Sequence, residues 1–260
     1  MVIDTVRESN EISKSSDFKF GKYTIKKDTT LHMPENEIQF SKIDSDKFSY
    51  ARKDSEKVTR KTIHCKTKDL EIEMAPILPI HLPSYKTDFV FLRFADPIFI
   101  SGKSTTEITV PFPIEIGVFL INDDHADMLD CFSCEPSYSR FGLYGTPEEG
   151  RLCKYAKIPP SFDKKTSSSL AHANLRIAIE NDLEESAQVG KIIIPASDHD
   201  LYYNDENVIM DDLNVMIKNR GGLKIIEVVQ KQITKPDDWS LSPRNIKKTD
   251  YRFAMEWGFD

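Results

Sequence analysis

The sequence predicts an all-β fold, an antiparallel β-sandwich or jelly-roll-like body, built as one domain or as two packed β-subdomains. Three observations carry this. Apolar and polar residues alternate over most of the chain, with the two-residue period of a half-buried strand. Prolines and short polar clusters interrupt those runs at strand-like spacing, and in sheets proline is confined to edges, bulges and turns. No segment carries a long amphipathic helical stripe, and many short strands separated by turn signals make a sandwich.

Residues 1–17 are polar, with Ser15, Ser16 and several charges, and read as a frayed tail. Regular structure begins at Phe18-Lys19-Phe20-Gly21-Lys22-Tyr23, which opens a first β-region over residues 18–157. There Phe48 and Tyr50 alternate with Lys47, Ser49 and Ala51, and Ile63 and Cys65 face away from Thr62, His64 and Lys66. Leu70, Ile72 and Met74 alternate with Glu71 and Glu73. Phe89 to Phe94 is nearly all apolar, as in a strand covered on both faces. Ile108 and Val110 alternate with Glu107 and Thr109. Residues 158–169 hold Pro159-Pro160 and Ser167-Ser168-Ser169 and mark a boundary. A second β-region, residues 170–260, shares the first domain or forms its own. Ala173, Leu175, Ile177 and Ile179 alternate there with Asn174, Arg176, Ala178 and Glu180. Asn181 to Glu185 reads as a turn and Val189 to Ile194 as the return strand. Asn219-Arg220-Gly221-Gly222 signals a hairpin ahead of Leu223 to Val229, and Tyr251 to Trp257 is the last candidate strand.

Composition narrows the function classes. The 260 residues carry 35 Lys and Arg against 42 Asp and Glu, a formal charge of −7. An acidic chain is a poor general binder of nucleic acid. The most apolar stretch, Pro111 to Ile121, contains Glu115 and is too short to span a bilayer, and residues 1–17 lack the apolar core of a secretory signal. Four cysteines make no disulfide scaffold, so reduced thiols in a cytoplasm are expected.

Local motifs that carry chemistry fail their context. Ser101-Gly102-Lys103-Ser104-Thr105 resembles the end of a phosphate-binding loop, but Pro97 stands where that loop needs its first glycine, and a strand follows instead of a helix. Cys131-Phe132-Ser133-Cys134 is a lone CxxC; zinc would have to recruit Cys153 and His125 or His64, and no second CxxC or HxxxH supports that. Asp123-Asp124-His125-Ala126-Asp127 lacks the spacing of a calcium loop, and Asp198-His199-Asp200 reads as a loop before a strand. No GxSxG occurs. No cofactor, metal or catalytic residue is therefore expected.

Two segments carry a family resemblance: residues 104–119, with Pro113-Ile114-Glu115-Ile116-Gly117-Val118-Phe119 at their core, and residues 141–155, with the turn Leu143-Tyr144-Gly145-Thr146-Pro147. They resemble an uncharacterised, mainly archaeal family, the domain of unknown function numbered four hundred and thirty-two, over about residues 18–235. The resemblance implies an archaeal, soluble protein and supplies no activity. The genomic proximity of its relatives to small mechanosensitive channels implies a membrane-protein partner.

The matched blocks also have a physical reading. Glu115 lies in an otherwise apolar strand and needs a basic partner or solvent. Arg93, in the apolar run Phe89 to Phe94, is the expected partner in an ion pair between strands. The functional alternative is a ligand site lined by Arg93, Glu115, Tyr144 and Arg151, with Tyr144 displayed on a tight turn. The leading expectation is a non-enzymatic binding module for a protein partner or for self-association, offering strand edges and aromatic faces. The alternative is a small-ligand or carbohydrate-binding sandwich using Tyr138, Tyr144, Tyr155, Tyr202 and Tyr203. A metal-dependent hydrolase using Asp123, His125 and Asp198-His199-Asp200 ranks third.

Overall fold

In the computed structural model of the protein, alternation along the chain becomes strands almost throughout. The structure describes residues 16–55, 57–122, 125–135, 140–146, 148–158 and 170–244. The strands are β1 (Ser16–Asp17), β2 (Gly21–Ile25), β3 (Thr29–Met33), β4 (Asn36–Asp44), β5 (Lys47–Lys53), β6 (Val58–His64) and β7 (Leu70–Ile77). Next come β8 (Phe89–Ile100), β9 (Ser104–Pro113), β10 (Glu115–Asn122), β11 (His125–Phe132), β12 (Phe141–Tyr144) and β13 (Arg151–Ile158). The rest are β14 (His172–Asn181), β15 (Ala187–Pro195), β16 (Leu201–Tyr203), β17 (Val208–Met210), β18 (Asp212–Arg220), β19 (Leu223–Lys231) and β20 (Ser240–Leu241). A 3-10 turn, Ala196–Asp198, interrupts them. Among the described residues, Ser16–Asp17, just ahead of Phe18, already pairs in parallel with β3. Residues 159–169 and Tyr251 to Trp257 lie outside the described residues.

Among the described residues, four sheets pack as an all-β sandwich around one continuous hydrophobic cluster. The first runs β1-β3-β4-β5-β6 and the second β11-β10-β7-β2. The third runs β12-β13-β8-β15; the fourth runs β19-β18-β14-β17-β16-β20, with β9 paired to β14. Most pairings are antiparallel, but β13 joins β8 in parallel, and β14 joins β17 and β18 in parallel. Strands late in the chain complete sheets begun early: β14 pairs with β9 from Ser104 to Pro113, and β15 pairs with β8. Pro111 and Pro113 sit on β9, whose only ladder partner among the described residues is β14, so their missing N–H groups break no second described ladder.

The local sequence accounts for the turns. Asn181, fully buried, ends β14 by donating its amide to the carbonyls of Ile100, Ser101 and Glu185 while its oxygen accepts the Leu183 N–H. That satisfies a buried side chain completely and fixes the turn into β15. Gly221 and Gly222 adopt φ of 61° and 84°, the left-handed pair of a two-residue hairpin loop between β18 and β19. At Ser101-Gly102-Lys103 a Cβ on Gly102 would lie 2.0 Å from the Glu184 carbonyl oxygen, so this glycine serves a close chain crossing at a turn.

Buried polar contacts tie the sheets together. The Tyr50 hydroxyl on β5 donates to Asp130 on β11 at 2.7 Å, and the Tyr203 hydroxyl on β16 donates to Glu73 on β7 at 2.6 Å. The alternation places Glu73 away from the core like Glu71, yet Glu73 is buried, because β16 lies across that face of β7. Among the described residues no helix is long and apolar enough to cross a membrane.

Candidate functional site

Strand β8 sorts its side chains to two faces. Val90, Leu92 and Phe94 are buried in the core, whereas Phe89 and Phe91 are half-buried and Arg93 is exposed on the outer face. The nearly continuous apolar run is therefore not a strand covered on both faces by core. Its outer aromatics are covered by neighbouring side chains of the same sheet.

Those neighbours follow from register. Parallel pairing sets Tyr155 of β13 beside Phe91 and Lys157 beside Arg93. On the other side, antiparallel pairing sets Ile193 of β15 beside Phe91 and Lys191 beside Arg93. Adjacent strands are about 4.8 Å apart, so Lys157, Arg93 and Lys191 form one row of three cations roughly 10 Å long. All three are exposed. Below the row lies an aromatic group: the Phe91 ring meets Tyr144 at 5.4 Å and Tyr155 at 5.5 Å, both edge to face. The Arg151 guanidinium lies 4.2 Å from the Phe89 ring centroid, and the Lys191 ammonium 5.1 Å from that of Tyr144. Among the described residues, no carboxylate forms a salt bridge with Arg93, Arg151, Lys157 or Lys191. Tyr144 is not displayed on a turn as expected. It ends β12 opposite Arg151, and the turn opens one residue later at Gly145 with φ of 111°.

Three of the four expected site residues, Arg93, Tyr144 and Arg151, thus share this outer face. Glu115 does not join them. It is buried at the start of β10, where its carboxylate accepts the backbone N–H of His81 at 3.0 Å and of Leu82 at 3.1 Å, with His81 Nδ1 at 3.1 Å. Its cationic neighbour is Lys154, not Arg93: Lys154 is 1% exposed and donates its ammonium to the Leu82 carbonyl. Burial lowers the Lys154 pKa, and the charge of Glu115 works against that shift. Glu115 and Lys154 hold the N–H and C=O of the same residue, so the buried charges fix the course of the segment at Leu82.

The other candidate residues stand elsewhere. His125 opens β11 and is exposed, while Asp123 lies outside the described residues. His199 is 1% exposed, neither ring nitrogen has a hydrogen-bond partner among the described residues, and burial lowers its pKa. Asp200 accepts from Arg244 Nε at 2.6 Å. Cys131 is the next-to-last residue of β11 and Cys134 follows the strand; burial pushes both thiols up to about 12, far from the thiolate that metal or redox chemistry uses. Among the described residues, no three His, Cys, Asp or Glu side chains are grouped to hold a metal ion. Sequence reasoning missed Lys157 and Lys191, whose only signal is their place as exposed members of alternating strands.

No curated protein and no solved structure matches the chain. The family model described as a protein of unknown function, DUF432, matches residues 19–256, and the chain belongs to that family.

Proposed function

We propose that the chain is a non-enzymatic binding module that docks an acidic segment of a partner protein on the outer face of the β12-β13-β8-β15 sheet. The observation that supports this reading is the row Lys157, Arg93 and Lys191. Like charges side by side on neighbouring strands destabilise a sheet, so a row of three without a counter-charge among the described residues is a strained surface that a bound anion relieves. The chain as a whole carries −7, so this face stands out from its surroundings and favours encounters with acidic groups.

Nucleic acid fits less well. The rings of Phe89 and Tyr144 already carry Arg151 and Lys191, which leaves little open ring for stacked bases. Two or three Asp or Glu side chains on one extended segment match the short row. A cytoplasmic acidic segment of a membrane protein is a partner of this chemistry, in keeping with four free cysteines and a reducing compartment.

Fluorescence anisotropy with a labelled Glu-Ser repeat peptide, beside an oligothymidylate of equal charge, tests the reading. The peptide is expected to bind, to weaken as salt rises, and to lose at least about 10-fold in affinity in an Arg93→Glu/Lys191→Glu variant. Tighter binding of the oligothymidylate, or unchanged peptide binding by the variant, overturns it. So does a dimer of the wild-type chain, seen by sedimentation, that the same substitutions dissociate.

A further inference from the structure

A cavity of about 320 Å³ lies between the first sheet, the end of β11 and the segment at Leu82-Pro83. That volume is at the small end of the range for ligand pockets, about 300–1,000 Å³. Leu82, Pro83 and Phe132 supply an apolar wall, and Arg52, Asp54 and Ser133 supply polar groups.

Arg52 organises the polar side. It is 5% exposed, and its guanidinium spends three of its five N–H donors. Nε donates to Asp130 at 2.8 Å, and Nη1 donates to Asn36 at 3.2 Å and to Asp54 at 2.8 Å. The two N–H groups of Nη2 have no acceptor among the described residues, and Nη2 is not sealed from solvent. The Phe132 ring centroid lies 5.1 Å from the guanidinium carbon. Ser133 Oγ accepts the Glu135 N–H at 3.0 Å, which leaves its own proton to donate. Asp54 also accepts the Lys57 N–H at 2.8 Å, and that bond shapes the rim.

The charges of the described lining balance, with Arg52 and Lys57 set against Asp54 and Glu35. Behind the lining, Asp130 pairs with Arg52 and has Lys61 3.9 Å away, so it adds no net charge. An anion would meet Asp54 and Glu35, and a cation would meet Arg52 and Lys57. The groups that suit this wall are neutral hydroxyls and carbonyls set on an apolar face. The wall is also held in advance, because Glu115 and Lys154 pin the Leu82 backbone from both sides.

We infer that this cavity binds a neutral, polyhydroxylated small molecule of monosaccharide size, with Arg52 Nη2 and the Ser133 hydroxyl donating to it and Leu82, Pro83 and Phe132 under its apolar face. The site is separate from the row of cations and stands whether or not that row docks a protein.

Saturation-transfer NMR on the full chain tests the inference, with glucose, galactose and mannose as neutral probes and glucosamine and glucuronate as charged analogues of the same size. At least one neutral hexose is expected to bind about 10-fold or more tighter than either charged analogue. Ser133→Trp, which fills the cavity, is expected to abolish that signal while leaving the Glu-Ser peptide affinity unchanged. Ser55→Trp at the rim serves as the second variant, so that a folding failure in one leaves the other decisive. Absence of binding by all three hexoses overturns the inference. So does tighter binding of glucuronate or glucosamine, or a hexose signal that survives in a folded tryptophan variant.

Discussion

Glu115 and Lys154 are opposite charges taken out of water for the sake of one backbone residue. The carboxylate of Glu115 receives the N–H groups of His81 and Leu82, and the Lys154 ammonium reaches the Leu82 carbonyl. Hydrogen bonds to charged groups are among the stronger ones, and removing one buried partner leaves the other uncompensated. Glu115→Gln is expected to cost about 2–4 kcal/mol of stability near neutral pH. The pH dependence has a definite sign. Burial lowers the folded pKa of Lys154, so its charged form is penalised in the fold, and that penalty falls as pH rises from the lowered value toward the ordinary lysine value of about 10.4. Loss of the Glu115 charge deepens the penalty, so the deficit of Glu115→Gln should shrink between pH 7 and about 10. Urea unfolding of both proteins across that range measures it. A deficit that stays constant or grows would separate Lys154 from the effect.

The outer face of the third sheet shows what an element can hold that no single residue reveals. Lys157, Arg93 and Lys191 come from three strands far apart in the chain, and only the register of β13 and β15 on β8 makes them neighbours. If their mutual repulsion is the stored strain that a partner relieves, removing the middle charge relieves it without a partner. Arg93→Thr, which keeps a β-branched side chain on the strand, is expected to raise stability by about 0.2–1 kcal/mol, more at low salt than at high salt. Urea midpoints at two ionic strengths test this. A loss of stability would mean that Arg93 serves the fold and not a partner. Arg93, Tyr144 and Arg151 could be named from sequence because they stand in blocks with distinctive residue order. Lys157 and Lys191 could not, since an exposed lysine on an alternating strand is an ordinary solvated residue until its neighbours are known.

At the scale of the whole molecule, late strands finish sheets that early strands begin. β14 covers β9 over ten register positions, and β15 pairs with β8 from Phe89 to Ile100. Taking away residues 170–244 would strip ladder partners from both early strands and open the shared hydrophobic cluster. The full chain is therefore expected to unfold in a single transition, with far-ultraviolet and near-ultraviolet circular dichroism coinciding, and residues 16–158 alone should show no cooperative unfolding. Two separated transitions would point to independent halves.

The sequence by itself determined the strands. The alternation from Ala173 to Ile179, the Asn219 to Gly222 hairpin and the rejection of a phosphate loop at Gly102 all follow from local stereochemistry, which each segment carries with it. Tertiary structure alone decided the partners. Glu115 found His81, Leu82 and Lys154 in place of Arg93, Glu73 found Tyr203, and three cations met in a row. Period two states which side chains share a face but not which strand lies alongside, and parallel crossovers such as β13 on β8 depend on how the whole chain closes over its common core.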